Sequence, residues 1–418
     1  MSAIEAVVAP RRLTQHEADL ICARHERLWA SKPGGARAVF SWADLSGLDL
    51  SGRNLADADF TGAVLVGTNL ARARLDHANL FGSDLQEANL VGASLKRADL
   101  RACCLRGANL TNADMFEADL REGLIAAVDK VKGLRVIEPT KRAGEAQGAI
   151  LAGANLERSR LSGVVAVRAD FTDAILKDAK LVRANLKQAS LHGADLAGAD
   201  LSGADLSGAD LRDAVLSGAR ITACKFDDAD MAGVLTDEPV GEDVANLPYD
   251  DMLRAHALWC ETEGTQGSPS AFDGADLRRL GSIKGLNLTA LSARKAVFYG
   301  LDMEGVQLQG ARLDGADLRA CNLRRADLRG ARLVGARLTG ADLRDAQLGP
   351  LLLDSERVMP CDLTGAVLKG ADLSRADLRH AVLAKADLTR ANFTNAAMRH
   401  ADITEAQLKS ARGLETLF

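Results

Sequence analysis

Large rings are scarce in this chain: aromatic residues make up 4% of 418, including 3 Trp and 2 Tyr. A narrow interior of small aliphatic side chains accommodates that composition, whereas base stacking on interleaved aromatics does not. No segment reaches the ~18 consecutive apolar residues of a membrane span. The apolar stretch from Ala3 to Ala9 is short, contains Glu5, and is followed rather than preceded by Arg11 and Arg12, which is not a secretory signal. A reduced, cytoplasmic compartment is expected. The 7 cysteines show no zinc or disulfide spacing, and the net charge of −5 makes the whole chain neither a polyanion nor an evident nucleic-acid binder. No P-loop, dinucleotide fingerprint or nucleophile elbow stands outside the glycine-rich segments. No catalytic residue, cofactor site or metal site is expected, and the chain reads as not an enzyme.

What is abundant is one pattern. Fifty-seven times, in three blocks, a residue that is nearly always Leu, Phe, Met, Ile or Val recurs at a spacing of five, usually in the frame Ala-(Asp/Asn)-Leu-X-Gly. The blocks run from Leu45 to Leu120, Leu156 to Met231 and Leu288 to Leu408. A period of five is neither the 3.6 of a helix nor the 2.0 of a strand, so each pentad must bend. In Ala204, Asp205, Leu206, Ser207 and Gly208 the small residue and the Leu are two apart, so both point inward from an extended segment. Asp bonds nearby backbone, and Gly supplies a positive φ at the turn. Stacked Leu and Ala then fill a solenoid whose outside carries the second, fourth and fifth residue of each pentad.

These pentads, over residues 43–123, 151–235 and 286–412, resemble the pentapeptide-repeat family. The resemblance implies an all-β solenoid, a right-handed quadrilateral β-helix with four pentads per coil, so that residues 20 apart lie one above the other. Cys224, Cys321 and Cys361 fall where Ala usually sits and read as small core residues.

Two interruptions organise the chain into an N-terminal capping segment, 1–42; a first solenoid, 43–235, with a loop or hairpin at 121–150; a linker and second cap, 236–285; and a second solenoid, 286–418. Leu124 to Val128, a polar turn from Asp129 to Gly133, and Leu134 to Ile137 predict a hairpin projecting from a continuous stack. Lys130, Lys132 and Arg135 on it are a candidate partner contact.

Thr14 with Glu17 forms a capping box opening a helix, and Leu20, Ile21, Leu28 and Trp29 are its expected apolar stripe. Beyond Pro248, Met252, Leu253, Leu258 and Trp259 repeat the design. Arg24, His25, Leu28 and Trp29 match Arg254, His256, Leu258 and Trp259, and a Gly-containing turn follows each group, so the chain reads as two tandem modules. Each helix is expected to cover an open solenoid end, with Trp29 and Trp259 packed on the first coil. His25 and His256 have no triad or metal partners in sequence and read as structural. His380 and His400 are expected to stack one coil apart.

Residues 43–235 hold 27 acidic and 23 basic side chains, whereas 272–418 hold 18 and 22. A uniform 20-residue coil would align Arg319, Arg337, Arg357, Arg379 and Arg399 in a basic ladder, unless neighbouring Asp and Glu pair with them. Three functions follow: a non-catalytic scaffold for an unassigned protein partner; a DNA mimic binding gyrase or topoisomerase, which the resemblance implies for some members; or anion and nucleic-acid binding through the ladder. The tail at Leu414, Leu417 and Phe418 either caps the last coil or joins a homodimer.

Overall fold

The computed structural model describes residues 10–125, 128–129, 133–134, 140–239, 248–354 and 357–414. It divides into two compact units, Met1–Glu238 and Pro239–Phe418.

The first unit is a stack of coils. Parallel bridges join Asp44 to Val64, Val64 to Asp84 and Asp84 to Cys104, and the same 20-residue step runs through all four pentad columns. Within each pentad the inward amide bonds the coil above, as Leu45 N to Val64 O at 2.8 Å, while the small residue closes its turn, as Ala58 N to Leu55 O at 3.1 Å. Ala204 and Leu206 are both buried, and the fifth position takes a positive φ whether it is Gly208 at 68° or Asp57 at 60°. Asp205 accepts the Ser207 backbone N–H at 3.2 Å, which fixes that bend. Each fully buried Leu contributes about 1.5–3 kcal/mol, so the column of Leu and Ala along the axis dominates the cohesion of the unit.

The stack is not interrupted between the first two blocks. Cys104 bridges Glu145 and Asp119 bridges Arg160, a step of 41 rather than 20, so the intervening residues are extruded. Among its described residues the extruded segment holds the short strands β3 (Gly123–Ile125), β4 (Val128–Asp129), β5 (Gly133–Leu134) and β6 (Thr140–Arg142). β3 pairs antiparallel with β6, and β4 with β5. The hairpin expected at 121–150 is shorter than that range. The stack resumes at Glu145, and Ala146 takes an inward position without a Leu to announce it.

The N-terminal segment supplies what a preceding coil would have supplied. Strand β1 (Arg11–Arg12) pairs parallel with β2 (Ala43–Asp44), and Leu13 N bonds Asp44 O at 2.8 Å. Helix α1 (Gln15–Trp29) follows, with the Thr14–Glu17 capping box formed. The Gln15 amide imitates a strand, donating to Asp49 O and accepting from Asp49 N, both at 2.8 Å. The helix face against the coil is Ala18, Cys22 and His25, with Ile21 partly buried beside it. Leu20, Leu28 and Trp29, expected on that face, are exposed at 53%, 47% and 43%. The close contact is made by Ala18, Cys22 and the hydrogen-bonded His25, and Leu20, Leu28 and Trp29 turn outward.

The second unit repeats the design. Helix α2 (Tyr249–Glu261) buries Leu253, His256 and Ala257, whereas Leu258 is 40% exposed. Its first coil carries one extra residue, Asp276 bridging Val297, taken up by a 3-10 turn at Arg278–Leu280. The 20-residue step then runs to Asp327–Gln347. Here the third block breaks, although its five-residue spacing in sequence does not. Arg332 bridges Asp362, Arg337 bridges Val367 and Gln347 bridges Asp377, a step of 30. The chain between leaves the stack as β7 (Leu351–Leu352) and β8 (Val358–Met359), an antiparallel pair. Leu353 and Val358, which keep the inward phase in sequence, are each 53% exposed. At the far end Leu414 packs on the core; Leu417 and Phe418 lie outside the described residues.

Candidate interaction surface

The outward residues on either side of an inward Leu are two apart and therefore neighbours. Where the sequence reads Asp-Leu-Arg they clasp. In Asp377-Leu378-Arg379, the Asp377 Oδ1 accepts the Arg379 backbone N–H at 3.1 Å, and the guanidinium closes on both carboxylate oxygens at 2.9 and 2.6 Å. The same fork forms at Asp99–Arg101, Asp119–Arg121, Asp210–Arg212, Asp327–Arg329 and Asp342–Arg344. A bidentate fork of this kind fixes geometry as well as charge. The Arg379 bond holds the Asp377 carboxyl below its ordinary range, and Arg212 does the same at Asp210.

A second arrangement pairs charges between coils. Glu117 takes Arg97 from the coil below at 2.8 Å and Arg158 from the coil above at 2.7 Å. Glu304 takes Lys284 and Arg325 in the same way, and Arg375 reaches Asp345 across the 30-residue step with two bonds of 2.7 Å. Each such pair is exposed and screened by solvent. Their consequence is a surface of interleaved charge.

The Arg ladder does not assemble. Leu318, Leu338 and Leu368 form one column, because Leu318 N bonds Arg337 O and Leu338 N bonds Val367 O. Leu328, Leu348, Leu378 and Met398 form a different one. Arg319 and Arg337 thus flank the first column, Arg379 and Arg399 flank the second, and Arg357 sits on the extruded hairpin. Most are also engaged: Arg319 is 5% exposed and clasps Asp317, Arg357 pairs with Asp354 at 2.6 Å, Arg379 clasps Asp377, and Arg399 Nε donates to His400 Nε2 at 3.2 Å. The ladder assumed a constant 20-residue step that the hairpin changes to 30. His380 and His400 do stack, with ring centroids 4.9 Å apart.

Lys130, Lys132 and Arg135 lie outside the described residues. Trp29 reaches the first coil only at its edge, Nε1 donating to Ala56 O at 3.3 Å, with Arg74 over its ring at 4.9 Å. Trp259 lies against His256, ring centroids 5.8 Å apart. The deep anchors are the histidines themselves. His25 and His256 are 1% and 2% exposed, and each bonds backbone through both ring nitrogens. The signal was in the sequence: an imidazole beside Trp in both copies.

The family model for pentapeptide repeats (8 copies) matches at 38–76, 53–92, 78–115, 93–122, 149–188, 189–228, 284–319, 321–349, 361–399 and 376–412. Its gaps at 123–148 and 350–360 contain both extruded hairpins. No curated protein sequence matches the chain. Among solved structures, HetL from the cyanobacterium Nostoc, a pentapeptide repeat protein involved in heterocyst differentiation regulation, is 24% identical over 93% of this chain and 94% of its own, with a TM-score of 0.17. Rfr23 from the cyanobacterium Cyanothece is 26% identical over 33% and 91%, at 0.25. QnrB1, a plasmid-mediated fluoroquinolone resistance protein, is 20% identical over 47% and 83%, at 0.19. With the family model covering more than half of its length, the chain belongs to the pentapeptide-repeat family.

Proposed function

We propose that this chain is a non-catalytic scaffold that presents the flat faces of two pentapeptide solenoids to a protein partner. The observation that supports it most is the pairing of charge within the repeat. Asp-Leu-Arg clasps and coil-to-coil pairs interleave both signs on described faces of each unit, which favours short-range complementarity over a long-range field. A DNA mimic calls for a continuous acidic face, and anion binding for aligned unpaired arginines. Neither is the pattern formed by these pairs.

We infer that the coils are right-handed and four-sided, in keeping with the family. The division into a cap at 1–42, a solenoid at 43–235, a linker and cap at 236–285 and a solenoid at 286–418 is supported by the two equivalent helices. Leu414 against the last coil favours a capping tail over a homodimer joined through that end. A cytoplasmic location accords with seven cysteines that form no disulfide, and no helix among the described residues is long and apolar enough to cross a membrane.

Affinity capture from native lysate, with nuclease treatment, tests the scaffold reading against Arg337→Glu/Arg379→Glu. The scaffold reading expects one protein partner retained by both forms after nuclease. Recovery of gyrase or topoisomerase subunits would favour the mimic instead, and nucleic acid lost with the arginines would favour anion binding.

A further inference from the structure

In each unit a single buried histidine stands in for the backbone of a missing coil. Elsewhere in the stack, the carbonyl after an inward residue accepts an N–H from the coil below, as Val66 O does from Gly47 N, and the small residue's N–H bonds the carbonyl of the inward residue three before it, as Ala58 N bonds Leu55 O. Where the first coil begins, Ala38 N has no inward residue three before it, and Ala56 O has no coil below it. At its edge Ala56 O accepts from His25 Nε2 at 2.9 Å, and Ala38 N donates to His25 Nδ1 at 3.0 Å. The second unit repeats both bonds: Thr289 O with His256 Nε2 at 3.1 Å, and Ser270 N to His256 Nδ1 at 3.0 Å. A second donor assists at each carbonyl, Trp29 Nε1 in one and Cys260 Sγ in the other.

Only one protonation state satisfies both bonds. Nδ1 must offer its lone pair to an amide N–H, and Nε2 must carry the proton given to the carbonyl. Protonating Nδ1 would point N–H at N–H inside a site that excludes water, so the imidazolium and the docked helix are incompatible. We propose that His25 and His256 are matched acid-sensitive latches: protonation releases α1 and α2 from their solenoids and uncovers the unpaired backbone edge of each first coil. Such edges are templates for strand pairing.

The groups around each latch differ. His25 faces Glu26 on α1, Asp57 on the coil and Arg37 in the connecting segment. His256 faces Cys260 on α2 and otherwise the backbone of Ser270 and Thr289. Burial pushes both imidazoles below the ordinary histidine range, opposed in part by the carbonyl bond. A lowered folded-state value means that the latch contributes fully above the unfolded value near ~6.5 and is lost progressively as pH falls below it.

Hydrogen exchange of the full chain between pH 7.5 and 5, expressed as protection factors, tests this. Amides of 15–29 and 249–261 should lose protection by up to about tenfold per pH unit once pH is below ~6.5, while amides of the central coils hold theirs. His25→Gln and His256→Gln, which keep an acceptor and a donor but do not titrate, should each abolish the pH dependence in their own helix only. Constant helix protection in the wild-type chain over that range would overturn the proposal, and that titration decides even if a variant fails to fold. Loss in step with the central coils, or an unchanged pH dependence in folded variants, would also overturn it.

Discussion

Gly35 and Leu28 meet backbone to backbone: a Cβ on Gly35 would lie 2.4 Å from the Leu28 amide nitrogen. The second unit has its counterpart in Gly267, where a Cβ would fall 2.2 Å from the Ala255 carbonyl oxygen and where φ is +76°. In both, the chain leaving the capping helix must turn back along the helix itself to begin the first coil, and any side chain would wedge the two apart.

Gly35→Ala and Gly267→Ala are therefore expected to destabilise docking of α1 and α2 by about 1–3 kcal/mol each. The check is hydrogen exchange of the two helices at pH 7.5. Unchanged protection in both variants would mean that the turn has room that the geometry denies.

Leu338 and Leu353 occupy the same phase of the five-residue repeat, but Leu338 is fully buried and Leu353 is half exposed. Leu338→Ala should cost about 2–5 kcal/mol, whereas Leu353→Ala should stay within about 0.5 kcal/mol. Urea titration of the two variants separates them, and equal losses would return Leu353 to the core.

This pair also marks where the sequence ceased to be legible. The pentad columns, Cys321 and Cys361 in Ala positions, the capping box at Thr14 and the duplicated helices could all be read from residue types, because each follows from local bonding or a fixed spacing. The hairpin at β7 and β8 could not be read from spacing: its step of 30 differs from the regular step by two whole pentads, so Leu353 and Val358 stay in frame while leaving the stack. Weaker signs were present. Pro350 and Pro360 bracket the excursion, and Leu351 and Glu356 stand where a small inward residue belongs. The helix faces misled for a different reason: hydrophobicity favoured Leu20 and Leu28, but close approach to a coil edge selected Ala18, Cys22 and His25.

The Asp-Leu-Arg clasps predict a second, more acidic transition. Asp377 and Asp210 are held below the ordinary carboxyl range by their Arg bonds, so they contribute stability above the unfolded value near ~4 and lose it as pH falls through their lowered folded-state values. Thermal midpoints should accordingly drop a second time below pH ~4. Asp377→Asn should reduce that lower drop without altering the change near pH 6.5, and equal effects in both windows would show that the clasps and the caps are not separate.

The outward residues are arranged by coil register rather than by sequence frame. Paired cysteines measure this directly, since a disulfide forms only when Cα atoms lie within about 7 Å. Under mild oxidation, Arg337→Cys with Val367→Cys, bridge partners across the 30-residue step, should crosslink within the monomer, and Arg337→Cys with Arg357→Cys should not. Crosslinking of the second pair without the first would restore the uniform coil, reassemble the basic ladder and contradict the surface described for this protein.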